Sequence, residues 1–172
     1  AWVYNEIRPD PRFEADLALS ADSVVQRHWK PELNVLLENV APDGAPLLDL
    51  PEGRMFHPGH AIESAWMLME IAQRRDDEAL LQTAIDITLA ALDHGWDREF
   101  GGLRYITNLD WTPSHSLEAD LKLWWPHGET LYALLLAWAL TGRADLAAWY
   151  EEVHDYTFAH FPDPEFGEWF GY

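Results

Sequence analysis

Cysteine is absent from this chain of 172 residues, so disulfides and thiolate metal sites are excluded. Basic side chains are scarce: 11 Lys and Arg stand against 30 Asp and Glu, a formal charge of −19. Nucleic acid and anionic membrane surfaces both select for basic stripes, so neither is an expected partner. No apolar run approaches the roughly 18 residues of a membrane span, and no charged-then-apolar leader opens the sequence. A Walker-type glycine-rich phosphate loop is also missing. With no cysteine and no leader, the sequence reads as that of a cytoplasmic, bacterial-type protein. The start has no Met, and the end, Glu168-Trp169-Phe170-Gly171-Tyr172, is an aromatic run without a polar tail. Both ends read as cuts through a longer protein.

What is present is a globular composition. Hydrophobic residues make up 48% of the chain, which at this length is enough for one domain with a sizeable core. Ten tryptophans are a high count for the size. Indole faces pack against sugar rings in carbohydrate sites, and they also fill the cores of large helical proteins.

Residues 1–20 are mixed, with Arg8-Pro9-Asp10-Pro11 marking a loop and no clear period. Val25, Trp29, Leu33, Leu36, Leu37 and Val40 recur at three- and four-residue steps, which predicts a helix from about Asp22 to Val40, kinked or divided at Pro31. Asp43-Gly44 and Pro46 predict a turn, and Leu47 to Met55 an extended segment. Helices are expected over about Pro58–Gln73, Asp77–His94, Pro126–Leu140 and Ala144–His160. The third of these is apolar nearly all round, which requires burial on several sides. Gly95–Pro113 reads as loop with short strand character, and the last dozen residues as loop.

The chain is organised around Phe56–Leu68. Pro58 suits the first position of a helix, where a missing N–H costs nothing. His60 falls in the first turn and Glu63 three residues on, on the same face. The positive end of the helix dipole disfavours imidazolium, so His60 is expected to be a neutral ring able to act as a general base. Glu63 would then orient that ring or help hold its proton. The plainer alternative is a His and a Glu that cap and solvate a helix start.

A repeat lies across the second half. Asp97-Arg98-Glu99-Phe100-Gly101 returns as Asp163-Pro164-Glu165-Phe166-Gly167, 66 residues later, and His94 and His160 keep the same offset. Each copy follows a Pro-started helix with His and Glu in its first turns: Pro58, His60, Glu63 and Pro126, His127, Glu129. Helix hairpins repeating every ~60–70 residues predict an all-α toroid of paired helices, about five long ones here, with short β-hairpin-like loops. Such a ring gathers the starts of its inner helices round one mouth, which would bring His60, Glu63, His127 and Glu129 towards one pocket. Only about two and a half such units fit, so residues 1–172 read as a fragment of a single α/α barrel domain.

Four segments carry a resemblance: Phe56–Trp66 with Pro-Gly-His-x-x-Glu; Gly95-Trp96-Asp97 through Gly101-Gly102-Leu103; Leu117 to Glu129; and Tyr156 through Tyr172. Together they resemble the N-acylglucosamine 2-epimerase family, whose vertebrate members are also called renin-binding proteins. Lys-Leu-Trp-Trp-Pro-His followed by Glu resembles the N-acylglucosamine branch more than cellobiose epimerases or aldose–ketose isomerases. The resemblance implies an (α/α)6 barrel and an isomerase that interconverts N-acylglucosamine and N-acylmannosamine. It removes the C2 proton of the open-chain sugar and returns one on the other face. Two histidines act as acid and base. One matches His60, with Glu63 as its supporting carboxylate; the other lies in a Phe-His-Val-Pro-Arg-like segment beyond Tyr172, so this piece alone is expected to be inactive. The resemblance further implies a small-molecule sugar partner, a homodimer and no cofactor, a nucleotide serving at most as an allosteric effector.

Trp124, Trp125, His127, Glu129, Glu168 and Trp169 are the expected substrate-binding residues, the last two placed at the pocket mouth by resemblance alone. Either tryptophan could instead be core between helices. His127 is a candidate to steady a developing enediolate oxygen. Lys122 is expected to meet a carboxylate rather than substrate, His57 to neighbour a helix cap, and His94 and His160 to partner C-terminal helix dipoles. Three rival readings stand. A metal site is disfavoured because no third ligand accompanies His60 and Glu63. A glycosidase would need two carboxylates across a cleft, for which Glu63 and Glu129 are the available pair. A barrel kept as a protein-binding module would have no need of the base at His60.

Overall fold

The computed structural model describes residues 7–172; the reading of residues 1–4 as a cut end lies outside the described residues. The first helix, α1 (Pro11–Ser23), is built as a helix start should be: Pro11 takes the first position, and the Asp10 side chain accepts the Arg12 N–H at 3.0 Å. A single π turn, Val24–His28, leads to β1 (Trp29–Lys30), a 3-10 turn at Pro31–Leu33 and β2 (Val35–Leu36), with Trp29 paired to Leu36 antiparallel. The helix expected from Asp22 to Val40 is therefore not formed. Pro31 cannot donate to a helix, and Asn34 turns left-handed at φ 51°, so the chain folds back on itself. Of the apolar residues that suggested a helical face, Leu36 and Leu37 are instead buried in a consecutive run with Val35.

The segment expected to be extended before Met55 contains one short helix, α2 (Pro51–Arg54), followed by β3 (Met55–Phe56). Four long helices follow: α3 (Pro58–Arg75), α4 (Glu78–Gly95), α5 (Trp124–Thr141) and α6 (Ala144–His160). Asp77 caps α4 by accepting the Leu80 N–H at 2.9 Å. The turn within each helix pair passes through a left-handed residue, Asp76 at φ 53° and Gly142 at φ 68°. α3 packs on both α4 and α5, and α5 on α6. The shared core holds Ile62, Ala65, Leu68 and Met69 of α3, Ile85, Ile87 and Leu92 of α4, Leu134 and Ala137 of α5, and Leu146 and Val153 of α6. Each large aliphatic side chain fully buried there contributes about 1.5–3 kcal/mol. The long loop after α4 is tied back by β4 (Thr107–Asn108), which pairs antiparallel with β3 in the register Phe56 to Thr107.

The repeat is structural as well as sequential. α3 and α5 begin at residues 58 and 124, α4 and α6 at 78 and 144, each pair 66 apart. The bridges Trp96 to Leu103 and Pro162 to Trp169 keep the same spacing. In each loop one carboxylate gathers the turn: Asp97 Oδ1 accepts the N–H groups of Glu99 and Phe100, and Asp163 Oδ1 those of Glu165 and Phe166. One detail differs from expectation. α5 starts at Trp124, two residues before Pro126. In this register Glu129 corresponds to Glu63 and Pro126 to His60, while His127 takes the place of the buried Ala61.

Candidate active site

His60 is the third residue of α3, which begins at Pro58 behind the N-cap residue His57. Gly59 lets α5 approach: a Cβ there would lie 2.8 Å from the Trp125 indole. The close approach produces an aromatic nest. The His57 ring stacks on His60 with centroids 4.7 Å apart and planes 23° apart, and Trp125 lies on His60 at 5.5 Å. Tyr105, from the loop after α4, sets its ring edge-on to His57 at 5.2 Å and to Trp125 at 6.4 Å. Trp125 thus does what was expected of an inter-helix aromatic while also walling the histidine.

His60 Nδ1 donates to Glu38 Oε1 at 2.9 Å. That hydrogen bond raises the imidazole above its ordinary pKa; burial opposes it, and the negative charges of Glu38 and Glu63 add to the rise. The direction is opposite to that expected of the helix dipole: the dipole alone would lower the pKa of this half-exposed ring, and the adjacent carboxylate raises it. Glu63 is half-buried and, among the described residues, makes no hydrogen bond; it reaches His60 by charge alone. His57 behaves oppositely. Only 9% exposed, with Nδ1 buried and unpartnered, its pKa is lowered by burial, with Glu38 pulling it up and His60 pushing it down.

The open side of His60 faces a cavity of about 200 Å³ lined by Val24, His28, Leu36, Leu37, Glu38 and Ser64. A second cavity, about 370 Å³, is formed by Trp124, Gly128, Glu168 and Trp169. Three residues expected to bind substrate, 44 and 45 positions apart in sequence, are thus brought to one hollow, helped by the Trp124 N–H bonded to the Gly171 carbonyl at 3.3 Å. Glu168 is held there at φ 61°.

Two expected site residues are placed otherwise. His127 is fully buried. Its Nδ1 donates to the Leu123 carbonyl at 2.6 Å and its Nε2 accepts the Leu103 N–H at 2.9 Å, while Tyr156 stacks on its face at 5.2 Å. Burial lowers its pKa to about 4, against the Leu123 hydrogen bond, which raises it. Neither nitrogen is available to a sugar, because His127 occupies the inward-packed Ala61 position of the repeat; it fastens the loop at Leu103 to α5. Glu129 accepts the Trp66 Nε1–H, clipping α5 to α3, and Tyr132 repeats the tie one turn later by donating to Glu70 at 2.6 Å. Lys122 meets the buried carboxylate of Asp97 at 2.8 Å, as expected for a carboxylate partner, and Arg104 joins them at 3.0 Å. No group of three or more His, Asp or Glu suited to a metal ion occurs among the described residues. Sequence reasoning missed Glu38, which lies 22 residues before His60 in a different element. No spacing rule links the two.

Helices paired in a 66-residue repeat, one of which presents at its start a carboxylate-held imidazole among aromatic rings, define a helical-hairpin repeat protein with a polar site at that helix start. The sequence model of the family described as N-acylglucosamine 2-epimerase (GlcNAc 2-epimerase) matches residues 3–172. The chain belongs to that family. It is 41% identical over 151 residues to the N-acylglucosamine 2-epimerase of Mus musculus, covering 86% of this chain and 35% of that protein. To the N-acylglucosamine 2-epimerase of Bos taurus it is 44% identical over 138 residues, covering 80% and 32%. The chain thus spans about a third of the length of these curated relatives. Among solved structures, a D-mannose isomerase superposes with a TM-score of 0.81 at 22% identity, over 97% of this chain and 44% of its own. At that identity the likeness concerns the fold.

Proposed function

We propose that the whole protein carrying this chain is a sugar 2-epimerase that interconverts N-acylglucosamine and N-acylmannosamine. In this reading the chain is one part of an (α/α)6 barrel. The observation that carries it is His60: an imidazole at the start of an inner helix, its Nδ1–H held by a carboxylate and its ring walled by His57 and Trp125. Family membership and the names of the mouse and cattle relatives support the substrate class.

The chemistry needs a base beside a carbon α to a carbonyl. In the open-chain sugar, the neutral His60 ring takes the C2 proton. The C–H electron pair becomes the C1–C2 double bond, and the carbonyl pair moves onto O1. Return of a proton to the opposite face of C2 gives the epimer, and the net reaction consumes no cofactor. By resemblance to the family, the second acid/base histidine belongs to a segment following Tyr172. Trp124, Glu168 and Trp169 offer an indole face and a carboxylate, a combination suited to a sugar ring and its hydroxyls.

The test is incubation of the full-length protein with N-acetylmannosamine in D2O, followed by NMR at C2. Deuterium entering C2 as N-acetylglucosamine forms, and loss of both in His60→Ala, is the expected result. With mannose as substrate in the same experiment, label appearing at C1 of a ketose would indicate aldose–ketose isomerisation. No exchange from the folded protein with any N-acylhexosamine, mannose or cellobiose would remove the epimerase reading and favour a protein-binding barrel.

A further inference from the structure

We infer that Glu38, rather than Glu63, is the positioning residue for His60: it fixes the tautomer so that Nε2 is the nitrogen that meets the sugar proton. The inference rests on the epimerase reading above and adds to it the carboxylate that governs the base.

The geometry is that of a built support. Glu38 Oε1 accepts from His60 Nδ1 at 2.9 Å. A carboxylate oxygen can only accept here, so the proton sits on Nδ1 and the lone pair of the neutral ring is left on Nε2. The residues flanking Glu38 are both pinned. Leu37 is buried; its N–H donates to the His28 carbonyl at 3.0 Å, and its own carbonyl accepts from His28 Nδ1 at 2.8 Å. Asn39 Nδ2 donates to the Glu52 carbonyl at 3.1 Å. The backbone on either side of Glu38 is thus tied down, which fixes the point from which its side chain reaches the ring. Glu38 and His60 also line the same cavity of about 200 Å³, with Ser64 one helical turn beyond.

The titratable groups around His60 come from several elements. Glu38 follows β2, Glu63 lies on α3 with His57 as its N-cap, His28 closes the π turn on the shared cavity, and Tyr105 reaches His57 from the loop after α4. Glu63 carries a like charge to Glu38 but no hydrogen bond, so it can shift the titration of His60 without choosing its tautomer. His57 stacks on the ring and blocks one face. Glu38 is the one group among these that does both.

The experiment compares Glu38→Gln, Glu38→Ala and Glu63→Gln in the full-length protein. The readouts are kcat and KM against pH for N-acetylmannosamine, and histidine 15N NMR for the His60 tautomer and titration. Glu38→Gln keeps an acceptor and removes the charge. Nδ1 stays protonated, while the His60 titration and the limb of the kcat profile that follows it move down by roughly one pH unit. Glu38→Ala removes both: the Nε2–H tautomer appears and kcat falls by about 10- to 100-fold, with KM changing less than threefold. Glu63→Gln shifts the titration by less than Glu38→Gln and leaves the tautomer as it was. An unchanged tautomer and titration in a folded Glu38→Ala, or a larger effect from Glu63→Gln, would overturn the assignment. The NMR readout does not depend on turnover. Absence of C2 exchange in the unmodified protein, with the tautomer still controlled by Glu38, would therefore count against the epimerase reading alone.

Discussion

Gly102 and Glu168 hold the same left-handed backbone at the same point of two turns 66 residues apart, at φ 79° and 61°. In both, the N–H of the leading aspartate bonds to the carbonyl of this residue, Asp97 to Gly102 at 2.9 Å and Asp163 to Glu168 at 3.0 Å. Glycine takes that conformation without strain, whereas a residue with a Cβ gives up about 1–2 kcal/mol. The glutamate is thus kept where the turn itself would favour glycine, and its carboxylate is delivered to the hollow with Trp124 and Trp169.

Glu168→Gly should therefore stabilise the fold by roughly 0.5–1 kcal/mol, the relieved strain less the entropy of a freer unfolded chain. The reverse experiment at the sister turn is not symmetric. A Cβ on Gly102 would lie 2.4 Å from Tyr156 Cζ, so Gly102→Ala adds a clash to the strain and should cost about 2–5 kcal/mol. Urea unfolding of the two variants measures both. If Glu168 contacts sugar, the stabilised Glu168→Gly enzyme also shows a raised KM.

The contact between Trp66 and Glu129 predicts a stability effect from a residue first read as substrate-binding. Glu129→Ala leaves the Trp66 indole N–H without its acceptor at the α3–α5 seam, which should cost about 1–3 kcal/mol. Glu129→Gln retains an acceptor and should cost less than half as much. Equal losses in the two variants, measured by denaturant midpoint at constant slope, would show that the indole N–H finds another partner.

What the sequence revealed and what it hid follow from the range of the forces involved. Pro58 and the three- and four-residue periods of α3 to α6 are local signals, and those helices stand within two residues of their expected ends. The 66-residue repeat was legible because each turn is made by an aspartate bonding to residues two and three positions on. α1 was not legible: Ala21 is its one buried residue, so almost no apolar face marks it. The false helix at 22–40 arose because a run of apolar residues folded across Asn34 happens to fit a helical period. Glu38 was invisible for a different reason. Its partner lies across a chain reversal, and nothing in either local sequence encodes that meeting.

The buried ion cluster at Asp97 should be far more sensitive to removal of one charge than the surface ion pairs. Asp97 is 3% exposed and receives Lys122 at 2.8 Å and Arg104 at 3.0 Å. Asp97→Asn keeps the shape but leaves two cations facing a neutral amide, at an expected cost of about 3–5 kcal/mol. Arg98→Ala, which removes the exposed pair with Asp93 at 3.3 Å, should change stability by less than about 1 kcal/mol. Thermal unfolding at low salt separates the two.

His127 and Asp97 give the fold a two-stage dependence on acid. His127 is neutral and buried, with its pKa lowered to about 4 from an ordinary 6.5. Between those values the unfolded chain binds a proton that the folded chain refuses, so stability is full above pH 6.5 and falls as pH drops towards 4, by about 3 kcal/mol in all. Asp97 acts lower down. Burial would raise its carboxyl, but Lys122 and the Phe100 and Glu99 N–H groups pull it to about 2 from 3.8. Its contribution is therefore present above pH 3.8 and is lost as pH falls towards 2. Replacing His127 by Gln removes the first stage only. The variant is less stable at pH 7, because the Leu103 N–H and the packing against Tyr156 lose their ring partner, yet its stability should decline less from pH 6.5 to 5 than that of the unmodified protein. Urea midpoints taken at half-unit steps of pH make the comparison. A decline of equal slope in both proteins over that interval would mean that His57, or another histidine, carries the proton linkage in place of His127.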